Sequence, residues 1–134
     1  MHVNRCPVGG EILKVAYSPG RYHAAWKDEA SIENERNTIT VATEGGPVVC
    51  KQIAGVLARR VVCWKKPGEN VERGERIGLM KFGSRMDVIM DPAWEVAVRA
   101  GDRVVGGVSI LARLTALVPA GAGSPLLRRN EGEV

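Results

Sequence analysis

The sequence predicts an all-β fold, a β-sandwich or barrel-sandwich hybrid made of two related hammerhead-like units. Three observations support this prediction. The chain holds 16 glycines and 7 prolines among its 134 residues, a content that implies many turns and short strands. Segments rich in β-forming residues recur between those turns. A short glycine-bounded pattern also occurs twice, at 68–74 and at 101–107.

Eight segments predict strands, because each is rich in β-branched or other β-forming residues. In chain order they are 11–17, 38–43, 48–53, 60–64, 76–81, 86–90, 94–98 and 108–111. The second and third segments flank Gly45-Gly46, which predicts a hairpin between them. Residues 21–37 are polar and irregular, which predicts a long loop.

The repeated pattern is Gly-x-x-Val-x-x-Gly, and each copy is followed three residues later by an isoleucine, Ile77 or Ile110. In each copy the glycines permit tight turns, and the central valine is expected to point into the core. Small β-sandwiches that carry biotin or lipoate use this pattern. It therefore predicts two related units packed face to face.

Composition indicates one domain and a tail. Residues 1–118 hold enough apolar residues for one core, which must rely on Val, Ile, Leu and Ala because the chain has only six aromatic residues. Residues 119–134 begin Pro-Ala-Gly-Ala-Gly-Ser-Pro and end in charged residues, so we expect a disordered tail.

The net charge of +4 is confined to the first part of the chain. Residues 1–83 hold 13 Lys and Arg against 9 Asp and Glu, while the remainder holds six of each. A basic first part suits an anionic partner, such as an acidic lipid surface or a phosphate group, and equally suits an ordinary solvated face. No basic run is interleaved with stacking aromatics, so we expect no nucleic-acid binding.

Cysteine usage and hydropathy indicate the compartment. Cys6, Cys50 and Cys63 are odd in number and lack Cys-x-x-Cys spacing, so neither a disulfide framework nor a metal site is expected. A reducing compartment follows. The sequence shows no signal peptide, and its longest apolar stretch, 104–118, is interrupted by Arg113.

Four segments together carry a specific resemblance. They read His-Val-Asn-Arg at 2–5 with Pro7, Asn-Glu-Arg-Asn at 34–37, Gln-Ile-Ala-Gly at 52–55 with Ala-Arg-Arg at 58–60, and Phe-Gly-Ser-Arg at 82–85. In this order and spacing, over residues 2–112, the chain resembles the phosphatidylserine decarboxylase family in its shorter bacterial and archaeal branch. A Gly-Ser pair alone would indicate only a turn.

The resemblance implies a zymogen that cuts itself between Gly83 and Ser84. Ser84 would become an N-terminal pyruvoyl group, and the fragments 1–83 and 84–134 would stay bound to each other. The pyruvoyl ketone would form a Schiff base with the amine of phosphatidylserine, and loss of carbon dioxide would give phosphatidylethanolamine. The protein would thus be a pyruvoyl-dependent lyase of phospholipid biosynthesis.

The resemblance also implies roles for individual residues. Ser84, Gly83 and His2 would be catalytic, with His2 returning a proton to the carbanion, unless it is a terminal residue with no role. Arg5 occupies the place of a second histidine in the other main branch, and it would hold a phosphate or carboxylate. His23 matches no family motif and is expected at the surface.

Further substrate-binding candidates come from the same motifs. Four arginines are candidates for the substrate phosphate, and each has a structural salt bridge as its alternative: Arg36, Arg59, Arg60 and Arg85. Gln52 would donate a hydrogen bond to a developing oxyanion or merely pair with a neighbouring strand.

A lipid substrate implies contact with a membrane surface. We expect peripheral attachment at the cytoplasmic face of the cell membrane, through an apolar lip and basic residues. The sequence leaves the oligomeric state open, with a homodimer as one option. The family's upstream segment carries a hydrophobic anchor and an aspartate that orients the histidine, and nothing before Met1 corresponds to it. Self-cleavage of this chain is therefore expected to be slow or absent.

Two alternatives remain open at this point. A biotin- or lipoyl-type carrier would present a lysine at a hairpin tip, and Met80-Lys81-Phe82 precedes the second repeat by about the twenty residues that such domains show. Leu79 and Phe82 beside Lys81 are unlike that motif. The other alternative is an inactive, truncated relative of the decarboxylase, which would share the fold but not the chemistry.

Overall fold

The computed structural model describes residues 2–115, which form ten strands and one short helix. The elements are β1 (His2–Arg5), β2 (Gly10–Ser18), α1 (Ala30–Glu33), β3 (Arg36–Ala42), β4 (Val48–Ile53), β5 (Val61–Cys63), β6 (Asn70–Val71), β7 (Arg76–Met80), β8 (Arg85–Ile89), β9 (Trp94–Val96) and β10 (Ala112–Leu114). All pairings between these strands are antiparallel. The prediction of an all-β fold is confirmed.

The strands form two main sheets that share an apolar core. One sheet has the order β6-β2-β3-β4-β8, the other has the order β1-β7-β5, and β9 pairs with β10 separately. Side chains alternate along β3, where Asn37, Ile39 and Val41 are buried and their neighbours are half-buried. The largest cluster of buried apolar residues draws on both main sheets and contains Cys6, Val8, Ile12, Ile39, Val41, Val48, Cys50, Val71, Ile77 and Val88.

Seven of the eight predicted strands are confirmed, including the hairpin of β3 and β4. The strand predicted at 108–111 is wrong, since β10 begins only at Ala112. The backbone amides of Val108 and Ser109 both donate to the carbonyl of Val105, and the Ser109 hydroxyl accepts from the Val105 amide, so this segment turns. The loop predicted at 21–37 contains α1, and β3 begins before that segment ends.

The two copies of the repeat differ in burial. The four glycines that bound them have φ between 77° and 93°, so both copies turn in the same way. Val71 and Ile77 of the first copy are buried, because β6 pairs with β2 and β7 pairs with β1 and β5. Val104 and Ile110 of the second copy are 49% and 51% exposed. An inward-pointing residue is therefore confirmed for the first copy and wrong for the second.

Two further expectations concern the ends of the chain and its membrane contact. The tail predicted at 119–134 lies outside the residues that the structure describes. Within residues 2–115, no helix has the length and apolar character needed to cross a bilayer. No group of three or more potential His, Cys, Asp or Glu ligands lies together in that same range.

The three thiols are expected to differ sharply in reactivity. Cys6 and Cys50 are 1% and 0% exposed. The hydrogen bond with Cys6 and burial raise the pKa of the Cys50 thiol. The same hydrogen bond lowers the pKa of the Cys6 thiol. Because Cys6 is buried, we expect no reagent to reach it in the folded protein. Iodoacetamide at neutral pH should therefore modify Cys63 first and slowly, since burial raises the pKa of that thiol too. Mass spectrometry showing three modified thiols in the folded protein would contradict this packing.

Candidate functional site

A turn at residues 82–84, called the 82–84 turn, connects β7 with β8. Gly83 has a φ of 75°, in the left-handed region that glycine adopts without steric cost. The Ser84 hydroxyl donates to the carbonyl of Lys81 at 2.7 Å. Phe82 is 67% exposed, Gly83 is exposed and Ser84 is half-buried, so the Gly83–Ser84 peptide bond lies at the protein surface.

His2 lies beside this turn. Its strand pairs with β7 in a register that sets His2 opposite Met80. The imidazole meets the ring of Phe82 edge-on, with the ring centroids 4.9 Å apart and an angle of 89° between the ring planes. The structure thus brings an acid–base side chain close to the predicted cleavage site.

Two of the other segments that carry the resemblance end beside the same turn. Arg36 in β3 pairs with Ile53 in β4, and Ile53 pairs in turn with Arg85, the residue after Ser84. The backbone amide of Ala54, the residue after Ile53, donates to the carbonyl of Glu35 at 2.9 Å, so β3 and the chain after β4 stay hydrogen-bonded beyond the last paired residues. The segments 34–37, 52–55 and 82–85 are therefore adjacent at one end of the five-stranded sheet.

Gln52 is fully buried and connects both main sheets. Its amide nitrogen donates to the side-chain oxygen of Asn4 at 2.8 Å and to the carbonyl of Val62 at 3.0 Å. Its side-chain oxygen accepts from the amide nitrogen of Asn37 at 3.3 Å. Both N–H groups are used, so none is left for an oxyanion. The contacts favour the strand-pairing alternative over substrate binding by Gln52.

Replacing Gln52 with leucine is expected to lower the free energy of unfolding by about 3 kcal/mol. The change leaves the buried side chains of Asn4 and Asn37 without this partner, at about 1–3 kcal/mol for each, and it also removes a donor from the half-buried carbonyl of Val62. Urea denaturation measures the loss. Lys51→Leu, at the half-buried neighbouring position, is the matched control and should change stability by less than about 1 kcal/mol. Equal stability of Q52L and the parent chain would contradict the buried network.

Arg85 makes structural contacts. Its Nε lies 2.5 Å from a carboxylate oxygen of Asp87, whose other oxygen accepts from the Ser31 hydroxyl at 2.9 Å. Its guanidinium also donates to the carbonyls of Ala25 and Lys27 at 3.4 Å. These contacts favour the salt-bridge alternative, and they attach the 25–31 region to β8 directly after Ser84.

The remaining arginines are not equivalent. Arg36 donates to the carbonyls of Ile32 and Asn34. Arg59 donates to the carbonyl of Val56, and its guanidinium lies 5.5 Å from the ring centre of Tyr22. Arg60 is exposed and precedes Val61, which pairs with Met80 on the side of β7 opposite His2. All three are located at the end of the sheets that carries Ser84.

Arg5 is separated from that group. It pairs with Arg76 at the far end of β7, about 10 Å along the strand from the position of His2, and donates to the carbonyl of Gly74 at 2.7 Å. It lines a different groove of about 1560 Å³, which also includes Trp94. Arg5 therefore lies apart from the residues around the 82–84 turn, and its role in holding a substrate phosphate stays a prediction.

The structure adds residues that the sequence interpretation missed. Glu35 is buried, and one of its carboxylate oxygens accepts from the Tyr22 hydroxyl at 2.6 Å. This hydrogen bond is the main cause that raises the pKa of Tyr22, while burial and the charge of Glu35 raise the pKa of Tyr17. The only signal in the sequence is that Glu35 lies inside the 34–37 segment, which carries the resemblance. Its pairing with Tyr22 agrees with the rule that a carboxylate is rarely buried without a partner.

Comparison with known proteins decides the family. A family model described as phosphatidylserine decarboxylase matches residues 1–112. The chain belongs to the phosphatidylserine decarboxylase family.

Individual members of the phosphatidylserine decarboxylase family agree with this assignment. Proteins named phosphatidylserine decarboxylase proenzyme are similar to the chain, at 55% identity over 113 residues in Solibacter usitatus, 46% over 112 residues in Syntrophus aciditrophicus and 47% over 116 residues in Mycobacterium leprae. These alignments cover 84%, 83% and 86% of this chain but 55%, 53% and 48% of the relatives. The chain thus spans about half the length of the curated relatives it matches. No solved structure matches significantly.

The structure also bears on the carrier alternative. A carrier lysine stands at the tip of a hairpin, but β7 and β8 on either side of Lys81 belong to different sheets and do not pair with each other. Lys81 therefore does not occupy a hairpin tip. Its carbonyl serves as the acceptor for the Ser84 hydroxyl.

Proposed function

We propose that the protein containing this chain is a pyruvoyl-dependent phosphatidylserine decarboxylase that produces phosphatidylethanolamine. The observation that carries the proposal is the meeting of four separate segments at the exposed Gly83–Ser84 bond. The word proenzyme in the names of the relatives supports a processing step.

The 82–84 turn suits a backbone cut. After cleavage Ser84 would remain at the start of β8, which is held by five residue pairs with β4. The new end after Gly83 would follow β7, which is held by β1 and β5. No strand pairing depends on the broken bond, so the fragments 1–83 and 84–134 would stay together.

The proposed cleavage has a complete chemical balance. The Ser84 hydroxyl leaves the carbonyl of Lys81 and adds to the carbonyl carbon of Gly83, and a base accepts its proton. The Gly83–Ser84 amide bond breaks as the base returns that proton to the Ser84 nitrogen, and an ester remains. Loss of the Ser84 α-proton then breaks the bond between the Ser84 Cβ and the ester oxygen, which frees the carboxylate of Gly83. The Ser84 Cβ then takes up a proton, which gives an imine. Hydrolysis of the imine consumes one water and releases the Ser84 nitrogen as ammonia, so a pyruvoyl group remains.

That group would supply a ketone for a Schiff base with the substrate amine and would accept the electrons left by carbon dioxide. The chain's own residues have separate tasks. His2, beside the turn, would take up the serine proton during cleavage and later return a proton to the substrate carbon. Arg60, exposed at the same end, would attract the phosphate of the head group.

Contact with the membrane is part of the same proposal. Phe82 and Leu57 are 67% and 76% exposed, and the basic residues Arg59 and Arg60 follow Leu57 after one intervening alanine. Exposed apolar side chains with adjacent cations favour reversible attachment to an anionic lipid surface. We place the protein peripherally at the cytoplasmic face of the membrane, with the 82–84 turn toward the lipid.

Intact-mass spectrometry of the purified chain under denaturing conditions, followed over days, tests this proposal. We expect two fragments that meet at Gly83 and Ser84, the second lighter than its unmodified sequence by the mass of ammonia. Vesicles containing phosphatidylserine should then release carbon dioxide, and vesicles of phosphatidylcholine should not. Cleavage is expected to be slow in this chain, so a chain that is still whole after days and releases no carbon dioxide would refute the proposal. A biotin-specific avidin blot tests the carrier alternative on the same sample.

A further inference from the structure

Gly55 lies directly against the carbonyl group of Gly83. A Cβ atom at position 55 would stand 1.7 Å from the carbonyl oxygen of Gly83 and 2.8 Å from its carbonyl carbon. It would also stand 3.5 Å from the Cβ of Ala25. The first two distances are shorter than any non-bonded contact, so only glycine can occupy this position without moving the 82–84 turn.

The backbone around Gly55 is held on both sides. The Gly55 amide donates to the carbonyl of Ala58 at 3.0 Å. The carbonyl of Ala54 accepts from the side-chain nitrogen of Asn34 at 2.7 Å, and the same nitrogen donates to the carbonyl of His23 at 2.8 Å. Asn34 is fully buried, so these hydrogen bonds do not compete with water. Gly55 is therefore a rigid surface against which the Gly83 carbonyl rests.

The orientation of that carbonyl matters for the proposed cleavage. The Ser84 hydroxyl must reach one face of the Gly83 carbonyl carbon, and a small misplacement of reacting atoms can cost about 10²-fold in rate. The turn itself is exposed, and within it the Ser84 hydroxyl is bound to the carbonyl of Lys81. Contact with Gly55 supplies a restraint on the carbonyl from outside the turn.

We propose that Gly55 is a positioning residue for self-cleavage, which fixes the direction of the Gly83 carbonyl relative to the Ser84 hydroxyl. The inference rests on the proposed cleavage at Gly83–Ser84. Gly55 takes no part in proton transfer or bond formation.

The test compares Gly55→Ala with Gly10→Ala. A Cβ at position 10 would stand 1.8 Å from the carbonyl oxygen of Ala42, a backbone clash of the same severity at the opposite end of the sheet. Both variants should lose stability in urea, whereas cleavage, followed by mass spectrometry, should slow at least about 10-fold in G55A only. Cleavage of G55A at the parent rate, or equal slowing in G10A, would overturn the inference.

A second measurement reads the carbonyl itself. In protein recorded before the bond is cut, glycine labelled with ¹³C at its carbonyl, combined with ¹⁵N-serine, marks only the two Gly–Ser bonds of the chain, at 83–84 and 123–124. The NMR signal of Gly83 should shift in G55A, while the signal at 123–124 should stay, and G10A should change neither. An unmoved Gly83 signal would overturn the inference. An uncut parent chain would overturn the proposed function and the role in cleavage with it, and a shifted Gly83 signal would show that the contact itself was assigned correctly.

Discussion

Replacing Ser84 with alanine is expected to abolish self-cleavage completely. The Ser84 hydroxyl is the only nucleophile in the 82–84 turn, and alanine has no oxygen with which to form the ester. Without the cut there is no pyruvoyl group, so release of carbon dioxide from phosphatidylserine should also fall to background. Intact-mass spectrometry and carbon dioxide release measure the two losses on one sample.

Ser109→Ala provides the control for this result. Ser109 also lies in an exposed turn, where its hydroxyl accepts from the Val105 amide, but it is remote in sequence from the cut. S109A should be processed like the parent chain. Fragments from S84A that meet at residues 83 and 84 would mean that another group attacks the bond, and the assignment of Ser84 would fail.

Replacing His2 is expected to slow self-cleavage by about 100-fold, since a positioned acid–base group contributes roughly 10²–10⁴-fold. His2→Phe preserves an aromatic ring against Phe82 but cannot carry a proton, whereas His2→Ala removes both the ring contact and the proton transfer. Both variants should be slow if proton transfer is the task of His2. Cleavage rates from timed mass spectra provide the comparison.

His23→Ala is the matched control, because the His23 imidazole is paired with the Glu33 carboxylate at 2.8 Å, whereas that of His2 packs against Phe82. Its rate should equal that of the parent chain. A fast H2F variant beside a slow H2A variant would assign the effect to packing against Phe82 instead of proton transfer.

Much of the fold could be predicted because strands have a local signature. The alternation of β-forming residues in β3 and the Gly45-Gly46 turn after it each span only a few consecutive residues, so the sequence alone predicts them. The segment 108–111 has similar composition, but the Ser109 side chain closes a turn there, and this local hydrogen bond overrides the propensity of its valine and isoleucine. The second repeat is exposed because burial depends on which strands lie nearby, and composition does not specify that.

The residues of the site also fall into those that local motifs predict and those that depend on contacts between distant parts of the chain. The 82–84 turn and His2 were identified from motifs, and the structure brings them together. The interactions of Gln52, with partners 48 and 10 residues away in the sequence, depend on how the sheets meet. The same is true of Gly55, which meets Gly83 only in the folded chain. Long-range contacts of this kind leave no periodic trace in a sequence.

The location of the 82–84 turn between two sheets has a consequence for folding before cleavage and for refolding after it. In the uncut chain, β7 and β8 find their sheets as parts of one polymer, so folding does not depend on concentration. Once the bond is gone, the same architecture is a complex of two chains, and separated halves must meet by diffusion before β8 can rejoin β4. The active form would then arise by folding of one chain followed by cleavage. After denaturation, its recovery would require the two fragments to associate, so it would fall as the protein is diluted.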